Sequence, residues 1–425
     1  MPGRITLNRK IDFAGETAFS YSPGSYYGNV SPAVKTLIFA YLYWLVAIPA
    51  FGFTNGELLV WMDADRTRTL EPVLKKFEDK FGINVRLEAP QNITDNFPTA
   101  AQSGEGPDIV IWAHDKVGEW ADAGLISPIE VSNESRVKYL PQAWEAVTHK
   151  GQVWGYPIGL ETVTLIYNKK LLSDPPPKNI SDLASLCPKT KQEHPGATCI
   201  LWDYTSPYYS WGIFSSAGAY VFAKSHDGYD VGSVGVNSPG SVKVLTEILK
   251  LVHSGILPKG VTYSTAEDQM GQGKIAMTIS GPWSWANYMK TGIDFGLAPV
   301  PGYDDKPARP FVGVSAAYIN RASPNQDIAR EFAEHYLISE QGLKAMNDAK
   351  PIGIPALTSL AQELEQTNPL LKELQSCVDQ GQVMPNIPEM GRFWTAFGSA
   401  LQLAANGQAT VQAALQEAAE NMRKH

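Results

Sequence analysis

From Glu57 onward the chain alternates short apolar runs with stretches whose apolar residues recur every three or four positions. LLVWM (58–62) reads as a buried strand. Leu70, Val73, Leu74, Phe77 and Phe81 then share one helical face, with Thr69 as candidate N-cap and Gly82 as the stop. NVRLEA (84–89) is the next strand, a helix is expected from about Asp95 to Gly104, and PDIVIWA (107–113) is a third strand. Strand–helix–strand–helix–strand implies parallel pairing in an α/β layered domain. TLIYN (164–168), KIAMTIS (274–280) and FGLAPV (295–300) extend the strand pattern. Ile328, Phe332, Ala333 and Tyr336 mark a late helix, and Val411, Ala414, Leu415, Ala418 and Met422 mark the last. No repeat or low-complexity segment interrupts this part.

The first fifty residues differ. SYSPGSYYGNVSP (20–32) carries neither helical nor strand periodicity, and Lys35 is followed by TLIFAYLYWLVAIPAFGF without a charge. A cation, an apolar h-region (about 37–51) and small residues at Ala50 and Gly52 form the layout of a secretory signal peptide cleaved before Phe53. The competing reading is an uncleaved anchor, since the run nears the length needed to span a bilayer. Pro49 and the polar TNGE that follows favour cleavage, and no cysteine ends the run to accept a lipid. Residues 1–34 fit poorly ahead of such a peptide; a start at a non-ATG codon such as that of Val30 would leave a compact n-region.

Composition narrows the class. At 425 residues the chain is too long for one ordinary core. A formal charge of −8 argues against a nucleic-acid partner, and three cysteines cannot build a disulfide scaffold. In an oxidising compartment Cys187 and Cys199 are spaced to pair; the alternatives are two free thiols or a zinc site with His194, for which too few ligands lie nearby. Cys377 is then a buried or semi-buried free thiol. The excess is aromatic, with 11 Trp and 18 Tyr.

In open α/β sheets, ligand groups sit in loops beyond the carboxyl ends of strands. Here those loops hold Asp63, Asp65 and Arg66 after the first strand, and Trp112, Ala113, His114, Asp115 and Lys116 after the third. Glu161, Pro207, Tyr208, Trp283, Trp285 and Trp394 follow in later loops. Carboxylates and aromatic rings without a phosphate loop suit a neutral polyhydroxy ligand, whose C–H faces stack on rings and whose hydroxyls donate to carboxylates. Trp61, Trp120, Trp144, Trp154, Trp211 and Trp285 are assigned to packing. His114 beside Asp115 reads as a structural hydrogen-bonder, because no nucleophile elbow accompanies it.

DIVIWAHDK, ETVTLIYNKKLL, GKIAMTISGPWSW, PFVGVSAAYIN and MPNIPEMGRFW closely resemble, in order and spacing, the maltose/maltodextrin-binding proteins of ABC importers. The resemblance runs from about Glu57 to Lys424. It implies a type II periplasmic binding protein, two α/β lobes joined by hinge crossovers around a ligand cleft. Residues 53–162 and 313–365 would form the N-terminal lobe, and 163–312 with 366–425 the C-terminal lobe. Crossings are expected near 159–165, 311–317 and 363–370. It also implies a periplasmic monomer without cofactor or metal, partnered by a membrane permease with its ATPase and by a chemoreceptor. Carried over residue by residue, the ligand set is Asp65, Arg66, Trp112, Ala113, Asp115, Lys116, Glu161, Pro207, Tyr208, Trp283, Met384 and Trp394. Ser206, Thr395, Gly398, Asp63 and Asn92 depart from the family pattern, so chain-length preference, or even the disaccharide, is expected to differ, with trehalose as one alternative.

A second class of function is a secreted glycoside hydrolase using Asp65, Asp115 and Glu161, since such enzymes need two carboxylates about 5–9.5 Å apart. Arg66 and Lys116, adjacent to two of them, are expected to keep those carboxylates ionised. That suits hydroxyl binding and disfavours a general acid.

Overall fold

The computed structural model describes residues 53–424 except Asn55, Arg68, His226 and Asp227; the expected leader over residues 1–52 lies outside the described residues. Strand β1 (Glu57–Trp61) buries all but its first residue and pairs in parallel with β2 (Asn84–Glu88) and β3 (Ile109–Ala113). Helix α1 (Glu71–Phe81) connects β1 to β2 and buries Val73 and Phe77. Its start differs from expectation. Leu70 is already helical (φ −78°, ψ −11°) and caps without a side chain, while the Thr69 hydroxyl donates backwards to the Arg66 carbonyl at 3.4 Å. Its end is as expected, because Gly82 adopts φ +67°, where a Cβ would be strained. Helix α2 (Ile93–Gln102) begins two residues early, behind Asn92 at φ +53°.

Among the described residues the strands form two large sheets and two short ribbons. The first sheet continues with β4 (Tyr156–Thr162); the second begins with β5 (Thr164–Asn168), so Val163 alone separates the two. The second sheet adds β6 (Thr198–Leu201), β7 (Ile275–Ser280) and β8 (Phe295–Ala298) in the order β8-β5-β7-β6. The chain then returns to the first sheet as β9 (Phe311–Ile319), antiparallel to both β3 and β4. Short strands β10 (Ile354–Pro355) and β11 (Gln382–Val383) complete the order β10-β4-β9-β3-β1-β2, with β11 beside β9. These are the two α/β lobes of the type II binding-protein fold.

Helices cover both sheets. Helix α3 (Leu183–Glu193) carries Cys187, which forms the expected disulfide with Cys199 on β6. Helix α4 (Pro207–Ser216) buries Trp211, stacked on Phe311 at 5.1 Å. Helices α5 (Thr358–Thr367) and α6 (Pro369–Gln380) meet at Asn368, and α6 packs on strands of both sheets with Cys377 buried. Helices α7 (Met390–Ala405) and α8 (Val411–Arg423) pack against each other. The helix expected around Ile328 widens into a π turn over Ala333–Leu337. Trp61, Trp120, Trp144, Trp211 and Trp285 are buried and Trp154 is half-buried, with Trp202 a further buried indole. No helix among the described residues is long and apolar enough to cross a membrane.

Candidate functional site

A cavity of about 460 Å³ opens at the carboxyl ends of β1 and β3, where Asp63, Arg66, Trp112, Asp115 and Glu161 form one wall. Tyr208, Tyr209 and Trp283 form the facing wall, and Met384 and Trp394 close the side. The first wall takes in the end of β3, where Ile111, Trp112 and Ala113 all line the cavity, and Trp112 is 37% exposed, an unusual state for an indole. On the opposite wall the rings converge, with Tyr208 5.9 Å from Trp283 and 6.4 Å from Trp394 between centroids. Tyr209 stacks on Tyr263 at 5.8 Å. Gly281 makes room for this arrangement, because a Cβ there would lie 2.3 Å from the Trp283 ring.

Charges in the cavity are organised around Arg66. It is 8% exposed, donates to Asp63 Oδ2 at 2.5 Å and to the Pro351 carbonyl at 3.2 Å, and stands 3.6 Å from Glu161. Asp63 Oδ1 and Arg66 Nε are buried without a partner among the described residues. Enclosure raises the Glu161 carboxyl above its ordinary value against the pull of Arg66. Asp115 accepts from Trp394 Nε1–H at 3.1 Å, yet burial pushes its carboxyl up to about 6. Lys116 does not offset this fully, since its ammonium turns to Glu119 at 2.8 Å. Lys116, expected to favour the ionised form of Asp115, does pull its carboxyl down, but burial is the larger influence.

Of the expected set, Arg66, Trp112, Ala113, Asp115, Glu161, Tyr208, Trp283, Met384 and Trp394 line the cavity. Three others do not. Asp65 faces solvent with its side chain 65% exposed and pairs with Lys350 at 2.9 Å, because the turn after β1 aims Asp63 inward instead. Lys116 leaves through its bond to Glu119, and Pro207 takes the first position of α4, where its missing N–H costs nothing. The expected ligand set leaves out Ile111, Tyr209, Gly313 and Ser315, and also Asp63, which counts among the loop carboxylates but departs from the family pattern. The i,i+3 spacing of Asp63 to a buried arginine was the available signal. Ser206 stands at the N-terminus of α4 without a side-chain cap bond, and Thr395 is exposed. His114 is fully buried; its Nδ1 accepts from Val314 N–H at 2.9 Å and its Nε2–H donates to the Met384 carbonyl at 3.0 Å. Burial lowers its pKa to about 4, which keeps the ring neutral and structural.

Comparison with known proteins fits this geometry. Residues 73–373 match the family described as bacterial extracellular solute-binding protein. A galactooligosaccharide-binding protein of Bacillus subtilis is 28% identical over 87% of this chain and 89% of its own. A maltodextrin-binding protein of the same organism is 28% identical over 89% and 92%. A maltotriose-binding protein of Pyrococcus abyssi is 27% identical over 80% and 75%. The family and these relatives are binding proteins, not enzymes. With well over half of its length matched, the chain belongs to the bacterial extracellular solute-binding proteins.

Proposed function

We propose that the protein is a periplasmic receptor, exported by a cleaved signal peptide, that captures α-glucosides such as maltose and maltodextrins and delivers them to an ABC permease and its ATPase. The observation that carries this reading is the convergence of Trp112, Tyr208, Trp283 and Trp394 on one cavity that also holds Asp115 and Glu161. Rings bind the apolar faces of pyranoses, while carboxylates accept from their hydroxyls. Asp63 and Arg66 add a carboxylate and a guanidinium to the lining of the same cavity. Names of relatives support oligosaccharides as the class, including a diacetylchitobiose-binding protein at 24% identity.

In this reading the lobes close by rotation about the crossings at Val163, near Asn368 and at 299–310, the last lying earlier than the expected 311–317 because β9 (Phe311–Ile319) already belongs to the first sheet. Sugar contacts from both walls bias the closed state. Calorimetric titration with maltose, maltotriose and trehalose is the test. Heat with an α-glucoside is expected, and no heat with any of the three overturns the reading. Binding of galactooligosaccharides alone would favour the alternative suggested by the Bacillus subtilis relative.

A further inference from the structure

A narrow space lined by Asp203, Tyr209, Tyr263, Glu267, Ser280 and Tyr288, too small for a water molecule, backs onto the cleft. Tyr209 lines both. Two residues of one helix, Tyr263–Gly271, reach into it; they lie four positions apart and so share a face. Tyr263 stacks on Tyr209 with the ring planes 6° apart. Glu267 accepts from Tyr288 O–H at 3.0 Å and from Asn287 Nδ2–H at 3.1 Å. The helix therefore grips two ring-bearing elements at once, α4 through Tyr209 and the segment after β7 through Glu267.

The second grip matters because of what it holds. Trp283 sits in the short turn Pro282–Ser284, which runs directly into the helix Trp285–Lys290 that carries Asn287 and Tyr288. Two ties fix this turn. At its base the buried hydroxyls of Ser280 and Ser284 bond at 2.7 Å. Beyond it the half-buried Glu267 carboxylate holds Asn287 and the fully buried Tyr288. Hydrogen bonds to a charged acceptor are stronger than neutral ones, and removing the carboxylate takes a partner from a hydroxyl that water cannot reach.

We propose that Glu267 is a positioning residue for ligand binding: it stands outside the cleft lining and, through Tyr288 and Asn287, fixes the turn that aims Trp283 into the cleft. Its loss loosens the turn rather than unfolding it, because the Ser280–Ser284 bond and the buried Trp285 remain. The effect on affinity rests on the reading of Trp283 as a sugar-stacking ring; the effect on the ring itself does not.

The test has two readouts on the full chain. Near-ultraviolet circular dichroism reports how firmly aromatic rings are held and needs no ligand. Glu267→Ala is expected to lose part of the tryptophan band, and Glu267→Gln to keep it, since the amide oxygen still accepts from Tyr288. In a Trp283→Ala background Glu267→Ala should change nothing further. Calorimetric titration with maltotriose should show Glu267→Ala about tenfold weaker, Glu267→Gln within about twofold of the parent, and no added loss from Glu267→Ala once Trp283 is gone. Tyr288→Phe, which removes the donor and keeps the ring, should follow Glu267→Ala, with melts close to the parent's. An unchanged tryptophan band in Glu267→Ala, or equal losses of affinity with and without Trp283, overturns the positioning role. A parent that binds no sugar while its band still responds to Glu267→Ala overturns the sugar reading alone and supports Glu267 as the prop of the ring.

Discussion

Asp115 carries two opposed duties. Its carboxylate accepts from Trp394 and, in the proposed complex, from sugar hydroxyls, yet burial holds its pKa at about 6. With the folded value raised, its contribution to the stability of the unliganded protein is full below about pH 4 and is lost as pH rises through 6. Asp115→Asn is therefore expected to melt no lower than the parent at pH 7.5 while binding sugar about tenfold more weakly or worse. The parent's own affinity should fall between pH 7.5 and 5, as a proton competes with hydroxyl donors. Calorimetry at three pH values checks the affinity, and a melt checks the stability. Trp112→Ala should cost about tenfold in affinity through lost stacking, with little effect on the melt, since the ring is already partly in water. What the sequence could not convey is direction. Residue types at strand ends identified most of the cleft, but whether Asp63 or Asp65 turned inward depended on which of them Arg66 would meet.

Elements set those directions. The β1–α1–β2–α2–β3 succession was legible because its apolar periods are clean, whereas the start of α1 was not, because its cap is a backbone conformation at Leu70 rather than a side chain. The GPWSW segment shows the same dependence on backbone. Gly281 lets the Trp283 indole fold back over the chain, so Gly281→Ala should displace that ring and weaken sugar binding several-fold while leaving the core intact. Affinity measured beside an unchanged melt would bear this out. The Cys187–Cys199 bridge fastens α3 to the edge strand β6 of the second sheet. Replacing both cysteines by alanine is expected to cost about 2–4 kcal/mol of stability without loss of binding, read from denaturant unfolding with and without sugar.

At the scale of the molecule, the two sheets are joined through segments as short as Val163, and α6 touches both. Hinge closure on sugar should appear as a contraction in small-angle scattering; identical curves with and without maltotriose would count against it. This architecture followed from the motif order. The tryptophans also give the molecule a built-in optical gauge. Among the described residues Trp112 is the most exposed indole, and it lines the cleft. Iodide should therefore quench that ring most, and an occupied cleft should dim the quenching, so that ligand arrival can be followed by light alone, without a label.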